Sequence, residues 1–231
     1  MRPQPSGGRG IKRRLRIAAA AGLFAAGLVI WLLRERNPTT LVHKAVEGVG
    51  IFFARLREQG VAVVRLWIRD HALRVIQGVS PADTSRIVPG LYVGGQHYRH
   101  GVGRMARLGI GSTLSLRGET DDAALGVALE RHLWLPTTDN TPPTVEQLHR
   151  AVGFVSQALE DGQGIYIHCK SGVGRAPATA AAYLVSTGLS PAEAWALIRR
   201  ARPFIRPKAV QLRQIERFYE GQRASDDTSG V

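Results

Sequence analysis

The chain of 231 residues has a formal net charge of +13, and its first 80 residues hold 14 of the 31 basic side chains against four acidic ones. Residues 81–231 hold 17 basic and 14 acidic side chains, so the charge excess lies in the N-terminal part and gives no reason to expect a nucleic-acid partner. One cysteine excludes an internal disulfide, and seven histidines without metal-ligand spacing predict chemistry without a metal or another cofactor.

The first predicted element is a membrane-spanning helix over residues 17–33, which follows a basic tail at residues 1–16. Its 17 residues are uncharged and mostly apolar, close to the minimum that crosses the hydrocarbon core of a bilayer. A cleaved signal peptide is the alternative, but Leu32-Leu33-Arg34 follows the apolar run where small residues would mark a cleavage site. Six basic residues before the span and three soon after it place the N-terminus in the cytoplasm. Because both flanks are basic, the side of the following domain stays open.

Residues 34–80 alternate apolar clusters with arginines, as around Leu66-Trp67-Ile68. The pattern predicts one or two short, basic, amphipathic helices, since Gly48, Gly50 and Gly60 would interrupt a longer helix. Such helices can lie on an anionic membrane surface. A helical linker that packs against the following domain fits the same pattern.

Residues 81–221 predict a separate domain, followed by a disordered tail at residues 222–231. Ile110 to Arg117 has the pattern of a strand, and residues 144–160 place apolar side chains at helical intervals. Ser190-Pro191-Ala192-Glu193 predicts another helix that begins with a capping box. The alternation of strands and helices indicates an α/β fold with a central, mostly parallel sheet flanked by helices.

The most specific motif is His168-Cys169-Lys170-Ser171-Gly172-Val173-Gly174-Arg175, which joins an apolar run to a run of small residues. This order predicts a strand, a glycine-containing loop and a helix, with the loop at the carboxyl end of a central strand. Backbone N–H groups and the helix dipole favour an anion there, whether a phosphate or a thiolate. Cys169 is therefore a candidate nucleophile, and Arg175 can bind phosphate oxygens through two parallel hydrogen bonds. A buried, unreactive cysteine in a strand-to-helix turn is the alternative.

With five residues between the cysteine and the arginine, this segment resembles the signature loop of the cysteine-dependent protein tyrosine and dual-specificity phosphatases. The similarity extends over residues 85–220, including the stretch from Arg86 to Gly95, which resembles the entry strand of the family's fold. The stretches Pro136 to Asp139 and Ile205-Arg206-Pro207 are most similar to the mitochondrial lipid-phosphate phosphatase and its bacterial relatives. The resemblance implies hydrolysis of phosphomonoesters, in phosphoproteins or anionic lipids, through a phosphocysteine intermediate. With the predicted span, it implies a single-pass protein of a bacterial inner membrane.

The resemblance also implies roles for individual residues. Cys169 attacks phosphorus, Arg175 binds the phosphate, and Asp139 protonates the leaving group. The phosphate loop comprises His168, Lys170, Ser171, Gly172, Val173 and Gly174, with His168 as structural support.

Asp121 and Asp122 are rival candidates for the general acid. Because they follow a predicted strand by a short turn, we interpret them as residues that cap the N-terminus of a helix.

Ala176 departs from the family pattern, which usually has Ser or Thr directly after the arginine. Without that hydroxyl the phosphocysteine can still form, but its hydrolysis is expected to be affected. The alternative function is a phosphate-recognition module with weak or no turnover. A phosphatase of RNA 5′ ends is a weaker option, because the charge excess lies outside the catalytic domain.

Overall fold

The computed structural model describes the backbone of residues 38–229, and the chain divides into two compact units after Ala72. The predicted basic tail at residues 1–16 and the predicted membrane span at residues 17–33 lie outside the described residues. Among the helices within residues 38–229, none combines the length and apolar character that crossing a bilayer requires.

Helix α1 (Pro38–Gln77) provides the described part of the first unit and continues into the second. It bends at Gly60, where φ is 78° and ψ is 167°, which are not helical values. A glycine adopts such a positive φ at little cost because it has no Cβ. The helix continues through Gly48 and Gly50, where we had also predicted interruptions. A glycine weakens a helix by about 1 kcal/mol relative to alanine without necessarily ending it.

The second unit contains five strands within the described residues, which are β1 (Arg86–Val88), β2 (Leu91–Gly95), β3 (Ile110–Arg117), β4 (Arg131–Thr137) and β5 (Gly164–Cys169). Its helices are α2 (Ala82–Ser85), α3 (Val102–Arg107), α4 (Val145–Glu160), α5 (Arg175–Ser186), α6 (Pro191–Ala201) and α7 (Ala209–Ser229), with a 3₁₀ turn at Arg99–Gly101. The predicted strand coincides with β3. The predicted helix at residues 144–160 is α4 with its cap, Thr144.

The strands form one mixed sheet in the order β1-β2-β5-β3-β4. Only β1 is antiparallel to its neighbour, and the pairings of β2 with β5, β5 with β3 and β3 with β4 are parallel. This confirms the predicted α/β fold with a mostly parallel sheet flanked by helices. Because β5 is the central strand, its carboxyl end at Cys169 lies between the ends of β2 and β3.

Helix α5 is buried along almost its whole length, which explains the run of small residues in the sequence. Alanines at positions 178 and 180–182 are wholly buried and let α4, α6 and α7 pack closely around it. All six residues of β5 are buried as well. The phosphate loop is therefore fixed at both ends by core elements.

The two predicted helices, α4 and α6, both begin with a capping box. Thr144 and Gln147 begin α4, and Ser190 and Glu193 begin α6, each pair exchanging side-chain and backbone hydrogen bonds. At the other end of the unit, the tail that we expected to be disordered from residue 222 is helical through Ser229.

Candidate active site

The loop between β5 and α5 wraps around Cys169, as the sequence predicted. Cys169 is 3% exposed, and its Sγ accepts a hydrogen bond from the backbone N–H of Gly172 at 3.3 Å. Gly172 has φ of +67°, and a Cβ there would lie 2.3 Å from the carbonyl carbon of Gly94. Only glycine fits, because both the left-handed conformation and the close approach exclude a side chain. The loop thus places one N–H donor on the sulfur, as a thiolate nucleophile requires.

Arg175 begins α5 and is 1% exposed. Its Nη1 donates to the carbonyl oxygens of Leu116 at 3.1 Å and Thr137 at 2.8 Å, near the ends of β3 and β4. Its Nη2 lies 3.2 Å from Oε1 of Glu119 and 3.0 Å from Oδ1 of Asp139. The carbonyl bonds orient the guanidinium, and the carboxylates occupy donors that a phosphate could use.

Asp139 lies in the segment between β4 and α4, with its side chain 54% exposed. Side-chain amides from α7 hold the part of this segment that follows Asp139, because Gln211 donates to the carbonyl of Thr141 at 2.9 Å and Gln214 to that of Pro143 at 2.9 Å. On α4, Gln147 donates to the carbonyl oxygen at position 136 at 2.9 Å. The candidate general acid therefore stands on an anchored segment beside the cleft.

Cys169, Arg175 and Asp139 line one small cleft of about 110 Å³. Three further basic side chains, Lys170, Arg206 and Lys208, line it as well. The residues predicted to act together are thus brought together, and the surrounding charge favours an anionic ligand.

His168 points away from this cleft into the protein interior. It is wholly buried, and its Nε2 lies 2.6 Å from Oδ2 of the equally buried Asp122, which also accepts from Nε2 of Gln96 at 3.0 Å. Burial opposes ionisation of Asp122, but the hydrogen bond and charge of His168, with the bond from Gln96, outweigh it and lower its pKa to about 2. Asp122 is therefore a buried partner of the loop histidine.

Our interpretation of Asp121 and Asp122 as helix caps was wrong, because turns and not a helix follow them. Oδ1 of Asp121 accepts the N–H of Ala123 at 3.1 Å and so caps a turn. The carboxylate of Asp122 instead pairs with the ring of His168, so it does not cap the neighbouring backbone.

His97 completes a buried cluster with His168 and Asp122. Its ring meets that of His168 edge to face at 4.9 Å, and its Nε2 lies 2.7 Å from the carbonyl oxygen of Val127. Burial, and next the charge of His168, lower the pKa of His97 to about 4, so it is neutral at pH 7. Sequence inspection missed this cluster, because its members lie on three separate segments.

The cluster offers three potential metal ligands, with ligand atoms within 4.8 Å of one another. However, the Nε2–Oδ2 distance of 2.6 Å between His168 and Asp122 is that of a hydrogen bond. Two atoms bound to one tetrahedral zinc ion at about 2.1 Å would lie about 3.4 Å apart. The observed geometry therefore fits a shared proton better than a shared metal ion.

Glu119 was also missed as a functional residue. Its carboxylate contacts Arg175, as described, and lies 3.6 Å from Nε of Arg117. Burial opposes its ionisation, but the hydrogen bond and charge of Arg175 prevail and lower the pKa of Glu119. Its place two residues after β3, at the carboxyl edge of the sheet, is the signal that could have identified it.

Known proteins share this fold and sequence pattern. The family model described as dual specificity phosphatase, catalytic domain, matches residues 91–221. Mouse dual specificity protein phosphatase 12 is 31% identical over 132 residues, which cover 54% of this chain and 39% of the mouse protein. Rat phosphatidylglycerophosphatase and protein-tyrosine phosphatase 1 is 38% identical over 90 residues, which cover 38% of this chain and 47% of the rat protein. This chain thus spans less than half the length of either relative.

Solved structures agree with the sequence matches. The crystal structure of PTPMT1 has a TM-score of 0.56 at 24% identity, covering 62% of this chain and 98% of that chain. Human DUSP28 has the same TM-score of 0.56 at 22% identity, covering 61% of this chain and 99% of that chain. Because the family match covers more than half of the chain and includes the whole phosphate loop together with Asp139, this chain belongs to the dual specificity phosphatase family.

Proposed function

We propose that this protein hydrolyses phosphomonoesters through a phosphocysteine intermediate, on substrates presented at a membrane surface. The observation that carries the chemical part is the shared cleft of Cys169, Arg175 and Asp139. A nucleophile, an anion-binding guanidinium and an acid stand together there, as phosphoryl transfer requires.

In the first step, the thiolate of Cys169 forms a sulfur–phosphorus bond while the bond from phosphorus to the ester oxygen breaks. Arg175 and the loop N–H groups hold the phosphate oxygens, and Asp139 in its acid form gives its proton to the leaving oxygen. The phosphate competes with Asp139 for Nη2 of Arg175, now 3.0 Å from the carboxylate. Substrate binding thus releases the carboxyl group toward the leaving group.

In the second step, water attacks phosphorus and the sulfur–phosphorus bond breaks, which restores the thiolate and releases inorganic phosphate. Asp139, now a carboxylate, takes the proton from the water. Ala176 is wholly buried and brings a methyl group where the family has a hydroxyl. We therefore expect the second step to limit turnover.

A rapid-quench experiment tests this order of steps. It should show a burst of about one equivalent of product per protein, followed by slower steady turnover, and Ala176→Ser should raise the steady rate. A burst without any steady turnover would favour the recognition module, and a linear time course without a burst would contradict the rate assignment.

The cleft favours an anionic lipid phosphate over a phosphorylated peptide. Lys170, Arg206 and Lys208 line the cleft together with Arg175, which gives more positive charge than one phosphomonoester requires. Among the relatives, one is named a phosphatidylglycerophosphatase, and PTPMT1 has been crystallised in complex with PI(5)P. Both support a lipid substrate for this chain.

A membrane location would bring such a substrate to the site. Residues 17–33 provide the anchor in this proposal. Along α1, Ile51, Phe53 and Val61 are exposed apolar side chains near basic ones, a pattern that suits an anionic bilayer surface. Extraction with alkaline carbonate checks the anchor, because an integral protein stays in the membrane fraction and a peripheral one is released.

The activity is tested with the full chain in anionic vesicles. Phosphate release from phosphatidylglycerophosphate is compared with release from a phosphotyrosine peptide, with Cys169→Ser as the matched inactive variant. We expect turnover of the lipid to exceed that of the peptide, and radiolabelled phosphate to remain on wild-type protein quenched in acid. A Cys169→Ser variant as active as the wild type would overturn the phosphocysteine mechanism, and faster turnover of the peptide would overturn the lipid assignment.

A further inference from the structure

Arg202, directly after α6, lies behind the phosphate loop and plays no part in the chemistry described above. The side chain is wholly buried. Its Nε donates to the carbonyl oxygen of Gly172 at 2.7 Å, its Nη1 to that of Thr84 at 2.9 Å and its Nη2 to that of Ser171 at 3.4 Å. The guanidinium carbon lies 4.4 Å from the ring centroid of Phe204. Two consecutive carbonyls of the loop are thus held by one buried cation.

The direction of these carbonyls determines the direction of the loop N–H groups. In a planar trans peptide, the C=O and the N–H point to opposite sides. The peptide between Ser171 and Gly172 shows this, because its C=O faces Arg202 while its N–H lies 3.3 Å from Sγ of Cys169. By the same geometry, the bond from Arg202 to the carbonyl of Gly172 turns the next N–H, that of Val173, away from Arg202. Val173 lines the cleft.

Arg202 also acts through its charge. A cation bound to a carbonyl polarises the peptide, and hydrogen bonds in series strengthen one another in a buried environment. The N–H groups on the far side then become better donors to a thiolate or a phosphate. The buried site screens this effect little.

We propose that Arg202 is a positioning residue that holds the phosphate loop from behind and polarises it. It holds the Ser171 and Gly172 carbonyls toward its guanidinium, so that the N–H groups of Gly172 and Val173 point the other way, stabilise the Cys169 thiolate and bind the phosphate. This inference rests on the proposed role of the loop but does not depend on the substrate or on the rate of turnover.

Two properties of the full chain report on the loop without turnover. One is the rate of Cys169 alkylation by iodoacetamide as a function of pH, which reports this site alone because the chain has one cysteine. The other is the affinity for tungstate, a phosphate mimic, measured by calorimetry. Failure of the proposed phosphatase mechanism would appear in turnover, whereas failure of this inference would appear in these two measurements.

The variants are Arg202→Lys, which keeps the charge but loses the planar fork, and Arg202→Gln, which loses both. Arg200→Gln is the control, at an exposed arginine in the last turn of α6. For Arg202→Gln we expect the alkylation midpoint to rise by about one pH unit and tungstate affinity to fall about tenfold, the loss of one charge-assisted arrangement. Arg202→Lys should give a smaller change in the same direction, and the control none.

If Arg202 only stabilised the fold, these measurements would give a different result. Both variants would then lower the melting temperature, while the folded protein kept the wild-type alkylation midpoint and tungstate affinity, and this would overturn the proposal. If Arg202→Gln does not fold, Arg202→Lys decides the question alone, because it retains the buried charge and most of the volume.

Discussion

The phosphate loop has two unlike ends. At its start, His168 is paired with Asp122, and both side chains are wholly buried. At its end, Arg175 is equally buried, but its carboxylate partners Glu119 and Asp139 are 41% and 54% exposed. One end is sealed from water, and the other opens toward it.

This difference in exposure distinguishes the end of the loop that is held in place from the end whose side-chain partners can be exchanged. A sealed hydrogen-bonded pair has no water or ligand to replace either partner, so we infer that its role is to hold the backbone on which it stands. Partly exposed carboxylates can leave the guanidinium when a phosphate arrives, at a modest cost because water solvates them. We infer that the His168 end holds the loop and the Arg175 end exchanges partners during catalysis.

Side-chain contacts connect the two ends. Gln96 donates to Asp122 at 3.0 Å and accepts from Nη1 of Arg117 at 3.0 Å. The same arginine lies 3.6 Å from Glu119, which in turn contacts Arg175. The polar side chains at and after the ends of β2 and β3 thus form one network that links the two ends of the phosphate loop, and changes at these ends should differ in kind.

The largest effect on activity is expected for Arg175→Ala. In the proposed mechanism the variant loses the guanidinium that binds the substrate phosphate, so kcat/KM should fall by at least about 10³-fold, as for the removal of a donor to a developing negative charge. Tungstate binding, measured by calorimetry, should be lost with it.

Arg150→Ala removes an exposed arginine on α4 and serves as the control. A decrease of less than tenfold for Arg175→Ala would show that the open end does not bind the phosphate, and the contrast between the two ends would disappear.

The sealed end should instead affect stability through pH. The pKa of His97 near 4 lies below its ordinary value of 6.5, so the unfolded chain binds a proton more readily than the folded one. The contribution is complete above pH 6.5 and is lost as pH falls through 4. The total loss in the free energy of unfolding is about 3 kcal/mol. Denaturant unfolding at pH 7, 5.5 and 4 measures it.

His97→Gln should remove this part of the pH dependence, whereas His149→Gln, at an exposed histidine, should keep it. An identical pH slope for His97→Gln and the wild type would mean that the cluster takes up protons freely and is not sealed.

Asp139→Asn tests the open end through a comparison of two substrates whose leaving groups differ in basicity. Without the proposed acid, kcat/KM for an alkyl phosphate, which reports the first step, should fall by about 10²-fold, because the leaving alkoxide then needs a proton from water. p-Nitrophenyl phosphate should be affected less, since its leaving group is a weak base.

Asp121→Asn is the matched comparison, because Asp121 was the rival acid and now caps a turn. Equal losses of kcat/KM on both substrates for Asp139→Asn, or a leaving-group effect on kcat/KM in Asp121→Asn, would reassign the general acid.

The parts of the molecule that follow from local pattern could be predicted from the sequence. The bounds of β3, the capped starts of α4 and α6 and the strand–loop–helix around Cys169 depend on neighbours within a few residues. Contacts across the chain could not be predicted in this way. Asp122 and His168 are 46 positions apart, so nothing local identifies the pair.

Local preference was also misleading at particular positions. An aspartate after a strand commonly caps a helix, but at Asp122 a buried histidine competes for the carboxylate and prevails. Arg202 shows the same limit, because a sequence rich in arginine does not reveal which guanidinium is buried against the loop carbonyls.

The smallest effect is expected for Glu119→Gln, where the network reaches the open end. The amide keeps the shape but removes the charge, so the guanidinium of Arg175 loses one orienting partner while its bonds to Leu116 and Thr137 remain. Because Glu119 is partly exposed, we expect kcat to fall only about tenfold, with tungstate affinity unchanged or higher since a competitor for Arg175 is gone. Glu130→Gln, at an exposed position, is the control. A loss as large as that of Arg175→Ala would place Glu119 in the chemistry, and an unchanged kcat would confine the supporting network to the sealed end.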